Sequence, residues 1–129
     1  MSSHPKNPVL QVIAQSKDAN ARGDMFGGWL MSLMDLAGVV PIAREFDNHF
    51  ATAAVNSMQF LKPVLVGGHV AIEATIVRTG NTSATVMINV YAAYAKQPHD
   101  YQQVATAEIV YVAISGVGQP TRLNPRNPA

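Results

Sequence analysis

The first long apolar stretch of the chain has the spacing of a helix. Residues 26–42 are mostly apolar, and the positions of one helical face are all hydrophobic: Leu30, Leu33, Met34, Ala37 and Val40. The opposite face is also apolar: Met31, Leu36 and Val39. A helix that is apolar all round is a buried helix, so the pattern predicts one here. Pro41 lacks a backbone donor and should kink this helix or end it early.

After residue 48 the pattern changes to a period of two. Apolar side chains occupy every second position in residues 70–76 and again in residues 86–90. Such alternation is typical of half-buried strands. Residues 79–82 lie between these two runs and predict a hairpin turn, because Gly80 and Asn81 tolerate positive φ.

Three further strands are predicted from composition. Residues 51–61 and 101–114 are rich in β-branched and aromatic side chains, and residues 9–16 predict a first strand before the helix. Residues 63–68 and 97–100 are the predicted connections. The element order is therefore one strand, one long helix and four strands.

This order predicts an α+β fold. Short connections between the last four strands favour antiparallel pairing, and a twisted sheet curled round the helix covers it economically. One sheet cannot cover the whole helix, so we expect a second subunit against it. Residues 1–129 should form a single domain, with an ordered core over about residues 8–118 and a loose polar tail from Gly116.

Composition excludes several classes of protein. Hydrophobic residues make up 48% of the chain and charged residues 13%, which excludes disorder except at the ends. The net charge is +1 and the basic residues form no cluster, so we expect no nucleic-acid partner. The charge of Asp35 within the apolar run argues against a membrane span. No cysteine is present, which excludes a thiolate nucleophile, and residues 1–8 lack the apolar core of a signal peptide, which predicts a cytoplasmic protein.

Asp35 is the main anomaly of the predicted helix. It lies among Leu33, Met34, Leu36 and Ala37, and an unpaired buried carboxylate costs several kcal/mol. The structural interpretation is a carboxylate that is bonded to a strand hydroxyl or faces a solvated groove. The functional interpretation is a catalytic or binding site, because perturbed carboxylates in clefts are enriched at such sites.

Gly27 and Gly28 lie at the start of residues 26–42, just before the apolar positions with helical spacing. The first amides of a helix lack internal partners, and glycine allows a ligand to approach them, so they could hold the oxyanion of a tetrahedral intermediate. The alternative is that these glycines only permit close packing between helix and sheet. Asn20, in the polar loop before the helix, could bind a water or serve ordinary turn chemistry.

The separation along the helix limits any site that uses both the glycine amides and the Asp35 carboxylate. Gly27 and Asp35 are eight residues apart, or about 12 Å along a helix, which is too far for one reacting centre to touch both within one chain. Two antiparallel helices in a dimer would bring the helix start of one chain to Asp35 of the other, with two equivalent sites. No metal site is expected, since the four histidines share no ligand spacing.

A longer pattern resembles the hotdog-fold acyl-CoA thioesterases, in their bacterial YciA-like branch. It reads Asn20-x-x-Gly23-Asp24-x-Phe26-Gly27-Gly28-Trp29-x-Met31-Ser32-x-Met34-Asp35. The resemblance continues through Val55-x-Ser57-Met58-x-Phe60-x-x-Pro63-Val64-x-Val66-Gly67, then Gly80-x-Thr82-Ser83 and Tyr111-Val112-Ala113-Ile114.

This resemblance implies the hotdog fold, hydrolysis of acyl-CoA thioesters, and a homodimer as the minimal unit of a tetramer or trimer of dimers. Asp35 matches the catalytic carboxylate, as general base or nucleophile. Asn20 matches the loop asparagine that positions the water or the thioester. Gly27 and Gly28 match the oxyanion donors. Coenzyme A is then part of the substrate, and no cofactor is implied.

The phosphates of coenzyme A are expected at Lys62, Arg78 and the turn that contains Gly80, Thr82 and Ser83. Two other functions stay open. One is an acyl-CoA binding or sensor protein without catalysis, which would keep the groove but lose the base. The other is a hydratase or dehydratase acting on acyl thioesters, which would need a histidine paired with an acid.

Overall fold

The computed structural model describes residues 5–127. It contains one long helix and five strands, in the predicted order, with a short 3₁₀ turn at Ser16–Asp18 before the helix. The elements are β1 (Leu10–Ile13), α1 (Gly27–Glu45), β2 (His49–Phe60), β3 (His69–Thr79), β4 (Ser83–Tyr94) and β5 (Gln97–Ile114).

The five strands form one antiparallel sheet in the order β1-β3-β4-β5-β2. β5 is therefore the neighbour of both β4 and β2, and β2 forms one edge. The ladder between β2 and β5 pairs Thr52 with Tyr111, and its register shifts between Thr52 and Ala54. Such bulges re-aim side chains and are common beside functional sites.

Alternate positions of the sheet and one face of α1 form the core. The buried positions of the helix are Leu30, Met34, Ala37, Gly38 and Ile42. They pack with inward-facing strand residues such as Ile88 and Ile109. Each fully buried aliphatic side chain contributes about 1.5–3 kcal/mol, so this contact fixes the helix on the sheet.

The opposite face of α1 is not covered within one protomer. Met31 is 43% exposed and Leu36 is 61% exposed, although the helix was predicted to be buried all round. The expectation that one sheet leaves part of the helix uncovered is therefore confirmed. Pro41 lies inside α1, which continues to Glu45, so the helix does not end early.

Two predicted connections differ in detail. The turn after β3 lies where the sequence placed it, but among residues 5–127 only Gly23, Gly67 and Gly118 have positive φ, so Gly80 and Asn81 turn without it. Residues 97–100 belong to β5 rather than to a loop, because the chain reverses at residues 95–96.

The C-terminal segment is hydrogen-bonded to the body of the protein, whereas the sequence predicted a loose tail. The amide of Leu123 donates to the carbonyl of Asn81 over 2.9 Å, and that of Asp47 donates to the carbonyl of Asn124 over 2.7 Å. Arg126 bonds the last turn of α1. Polar and proline-rich composition therefore did not prevent docking, because the backbone groups of the segment found partners on other elements.

Within residues 5–127 no helix combines the length and the apolar character that crossing a membrane requires.

Candidate active site

Asp35 lies in the middle of α1 and is half-buried. The Oγ1 hydroxyl of Thr52 donates to its Oδ1 over 2.6 Å. The same carboxylate lines a cleft of about 240 Å³ with Met31, Val55 and Met58. The carboxylate therefore bonds a strand hydroxyl and also faces an open cleft, which are the two features of the structural interpretation.

Sequence reasoning anticipated a strand hydroxyl but did not identify Thr52. Its partner across the ladder is Tyr111, which the sequence marks only as part of the family pattern. The Tyr111 hydroxyl donates to the main-chain carbonyl of Asp35 over 2.7 Å. A polar residue at an inward-facing strand position was the available signal for Thr52, but the bulge after it obscured which way it faces.

The start of α1 presents free backbone donors. Phe26 is the N-cap, is extended (φ −65°, ψ 143°) and makes no side-chain cap hydrogen bond. As the first two helical residues, Gly27 and Gly28 have no carbonyl four residues earlier in the helix to receive their amides. Both are exposed, and the helix dipole adds partial positive charge at this position.

Close packing does not explain these glycines within the described chain. A Cβ on Gly28 would meet nothing within 4 Å, and one on Gly27 would make only an ordinary contact with the Phe60 ring, at 3.6 Å. The alternative of close helix–sheet packing therefore loses its support here, and open approach to the amides is what the geometry provides.

An apolar cleft of about 310 Å³ adjoins Gly27. Its walls include Met25, Leu30, Phe60 and Val64. Lys62 also lines this cleft, and its Nζ donates to Oε1 of Gln102 over 3.3 Å. The helix start is thus bordered by a surface that suits an apolar chain and by one cation.

Asn20 is fixed by its own loop. Its Oδ1 accepts from the amides of Arg22 (2.9 Å) and Asp24 (3.1 Å), while its main chain bonds the carbonyl of Asp24. This is the turn chemistry that was the alternative to a catalytic function. Because Oδ1 is occupied, Nδ2 is the atom of this amide that is left to meet a ligand.

Arg78 lies in an ion pair on the sheet. Its Nη2 is 3.1 Å from Oε2 of Glu108, which also accepts from Nδ2 of Asn56 over 2.8 Å. The Asn56 hydrogen bond and the Arg78 charge lower the pKa of Glu108 below its usual value. Glu108 alternates along β5 with the inward-facing Ile109, so this ion pair lies on the face of the sheet away from α1.

The structure does not bring the predicted coenzyme A residues together within one chain. Ser83 pairs with Val112 near the end of β5, whereas Lys62 contacts Gln102 near its beginning. Ten strand residues span about 30 Å, so the turn of Gly80, Thr82 and Ser83 and the side chain of Lys62 lie at opposite ends of the sheet. The turn itself is closed by a bond from the Gly80 amide to the Ser83 carbonyl (2.8 Å), and the Thr82 carbonyl accepts from Ala113.

Gly27 and Asp35 are both on α1, as predicted, and stay about 12 Å apart along its axis. Among residues 5–127 no three His, Asp or Glu side chains are grouped so that they could hold a metal ion. The chemistry on offer is a set of backbone donors, a fixed carboxylate and an apolar surface.

Comparisons with known proteins identify the family of this chain. The Thioesterase superfamily model matches residues 22–97. The chain is 39% identical over 117 residues to the acyl-CoA thioester hydrolase YciA of Salmonella typhimurium, covering 89% of this chain and 88% of that protein.

Solved structures agree as well. The hexameric thioesterase y2039 from Yersinia pestis superposes with a TM-score of 0.85 at 38% identity, covering 94% of this chain and 98% of that one. A hexameric broad-specificity acyl-coenzyme A thioesterase superposes with a TM-score of 0.86 at 30% identity, covering 97% and 86%. The chain has the hotdog fold and belongs to the thioesterase superfamily, among the YciA-like acyl-CoA thioester hydrolases.

Proposed function

We propose that this protein hydrolyses acyl-CoA thioesters to a free acid and coenzyme A, using Asp35 of one protomer with the Gly27 and Gly28 amides of another. The family membership supports the reaction class. The single observation that carries the mechanism is the Thr52–Asp35 hydrogen bond at the edge of an open cleft, because it fixes a carboxylate where substrate can reach it.

The helix start polarises the thioester carbonyl. The free Gly27 and Gly28 amides donate to the carbonyl oxygen and hold the negative charge that develops when the carbon becomes tetrahedral. Neither glycine carries a side chain that would block this approach. The apolar cleft beside them excludes water from one side of the reacting group.

Asp35 acts as the general base. With Oδ1 occupied by Thr52, the second carboxylate oxygen takes a proton from a water as the water oxygen attacks the carbonyl carbon. The tetrahedral intermediate collapses, the C–S bond breaks, and coenzyme A leaves as a thiolate, which the proton held by Asp35 can neutralise. Asn20 donates from Nδ2 to the water or the thioester. Direct attack by Asp35 on the carbonyl is the other route to the same products.

The minimal unit we propose is a homodimer. The exposed face of α1 and the outer strand β2 carry apolar side chains that one protomer leaves uncovered: Met31, Leu36, Val55 and Phe60. The far edge of β2 has no strand partner in the described part of the chain. Burial of this surface against a second copy, with antiparallel helices, places Asp35 near the partner's helix start. The hexameric relatives support a homo-oligomer.

Coenzyme A enters as part of the substrate, and we propose that no other cofactor takes part. Lys62 is the best placed of the predicted phosphate-binding residues, because it adjoins the cleft at the helix start. The turn of Gly80, Thr82 and Ser83 could serve the same coenzyme A only from a different protomer. Arg78 would have to leave Glu108 to do so.

The test is Asp35→Asn, which keeps the shape of the side chain and an acceptor for Thr52. Since general base catalysis contributes about 10²–10⁴-fold, kcat for thiol release from acyl-CoA should fall by about that factor. The thermal unfolding midpoint should stay close to that of the wild type.

Full activity in Asp35→Asn would exclude Asp35 as the base. Thiol release by the wild-type protein separates a hydrolase from an acyl-CoA binding protein, and formation of a hydroxyacyl thioester without thiol release would indicate a hydratase.

A further inference from the structure

Two neighbouring residues of the sheet hold Asp35 at both of its polar ends. Thr52 on β2 bonds its carboxylate over 2.6 Å, and Tyr111 on β5 bonds its main-chain carbonyl over 2.7 Å. Thr52 and Tyr111 are direct partners in the β2–β5 ladder. The side chain and the backbone of Asp35 are thus both hydrogen-bonded to the same pair of neighbouring sheet residues.

The Tyr111 ring reaches this carbonyl only because residue 38 is a glycine. A Cβ on Gly38 would overlap the Tyr111 hydroxyl and lie 2.8 Å from Cζ and 2.9 Å from Cε2 of the ring. Contacts under 3.0 Å to a fully buried ring require something to move. Gly38 lies one helical turn after Asp35, so the phenol lies directly against the backbone of the α1 turn that carries Asp35.

The Tyr111 hydroxyl keeps the proton that it donates to the Asp35 carbonyl. Burial raises the pKa of the Tyr111 phenol well above its ordinary value, and the charge of Asp35 raises it further. The phenol therefore stays protonated at neutral pH and keeps its proton for this hydrogen bond. In an α-helix the Asp35 carbonyl also accepts from the amide four residues later, so the phenol supplies a second bond rather than replacing the first.

We propose that Tyr111 is a positioning residue for the hydrolysis, which sets the place of the Asp35 carboxylate through the backbone of α1, with Gly38 as its required partner. This rests on the proposed function of Asp35. Thr52 orients the carboxylate, whereas Tyr111 fixes the turn that carries it. Because Tyr111 does not touch the substrate, its effect passes entirely through Asp35.

A double-mutant cycle on the full-length oligomer tests this. Tyr111→Phe removes only the hydroxyl and should lower kcat about 10-fold with KM within about twofold, because a misplaced catalytic group loses rate without losing substrate contacts. In the Asp35→Asn background the same change should leave the residual kcat unaltered. Tyr91→Phe is the matched control, since that phenol lies beside Glu73 on β3 rather than against Asp35, and its kcat should equal that of the wild type.

A second variant addresses the glycine. Gly38→Ala should lower kcat at least as much as Tyr111→Phe, because the new methyl displaces the ring that holds the turn. The thermal unfolding midpoint is measured for each variant, so that kcat is compared only on folded protein.

The outcomes separate the two proposals. An inactive Asp35→Asn with a Tyr111→Phe kcat within twofold of the wild type overturns the role of Tyr111 and leaves the base in place. An equal fold loss from Tyr111→Phe in both backgrounds shows a general structural role and also overturns it. A fully active Asp35→Asn overturns the base, and the positioning role falls with it.

Discussion

The two ends of α1 treat their unpaired backbone groups in opposite ways. At the start, Phe26 gives no side-chain cap, and Gly27 and Gly28 leave their amides open. At the end, the C-terminal segment supplies donors: the Arg126 amide bonds the Glu45 carbonyl over 2.9 Å. Its Nε bonds the Ala43 carbonyl over 3.0 Å, and its positive charge lies where the helix dipole is negative.

The difference shows that the chain provides hydrogen-bond partners for the backbone groups of a helix end that contributes only to stability. Ser, Thr, Asp or Asn at an N-cap would stabilise the helix by about 1 kcal/mol, yet this position holds Phe26. An end left open at that cost is one where a ligand can take the donors. This contrast supports the assignment of the oxyanion site to the helix start, and four experiments test it.

The largest effect is expected from Gly27→Pro. Proline suits the first helical position, and the extended Phe26 is what it requires before it, so the fold should survive while one donor is lost. Loss of one oxyanion donor costs about 10²–10³ in kcat, measured as thiol release. Gly27→Ala is the matched control, because it keeps the amide and its Cβ meets the Phe60 ring at an ordinary 3.6 Å, so it should lose far less.

Equal losses in the proline and alanine variants would mean that space, not the amide, matters at Gly27. Mixed oligomers sharpen the result. When Gly27→Pro and Asp35→Asn chains are refolded together at equal amounts, half of the dimers combine one of each, and each of these has one intact site. Activity should then recover to roughly a quarter of the wild-type level. No recovery would place both groups of a site in one chain.

A smaller effect is expected from adding the missing cap. Phe26→Ser places a hydroxyl that can accept from the amide of Gly28, which should raise the free energy of unfolding by about 1 kcal/mol. The same bond competes with substrate, so kcat should fall several-fold. Denaturant unfolding and thiol release measure the two quantities, and Phe26→Ala controls for loss of the ring. A variant that gains stability without losing turnover beyond that control would contradict the idea that these donors serve catalysis.

The smallest effect is expected at the C-terminal end of α1, where Arg126 bonds the helix carbonyls. Arg126→Ala removes the bond to Ala43 and a favourable charge at the helix C-terminus, which should cost about 1 kcal/mol of stability. Turnover should not change, because Arg126 lies at the far end of α1 from Gly27. Arg122→Ala, on the same segment, is the control for charge alone. A kcat loss specific to Arg126→Ala would couple the C-terminal segment to the site.

The sequence predicted the elements that local pattern controls. The apolar run with helical spacing became α1, the alternating runs became strands, and Asp35 was recognisable as a charge among apolar neighbours. The need to cover a helix that is apolar on all sides predicted both the wrapped sheet and an uncovered face. These inferences succeed because burial on one face of one element depends on residues close together in the chain.

Other features failed or stayed open because they depend on residues distant in sequence. Lys62 and the turn at Gly80 were predicted to bind the phosphates of one coenzyme A, but the strand register places them at opposite ends of the sheet. The segment after Gly116 looked loose by composition, yet its backbone found partners on α1 and on the turn after β3. A local sequence pattern does not predict which carbonyl will accept a hydrogen bond from an amide that is distant in the chain.

The amino-acid order alone thus determined the helix, the strands, the misplaced-looking carboxylate and the bare glycine amides. Only the tertiary structure decided that Thr52 and Tyr111 hold Asp35, that Gly38 makes room for the phenol, and that Arg126 bonds the end of the helix. The physical reason is that strand register and a bulge set which side chains meet, and both arise from packing of the whole sheet against the helix rather than from any one segment.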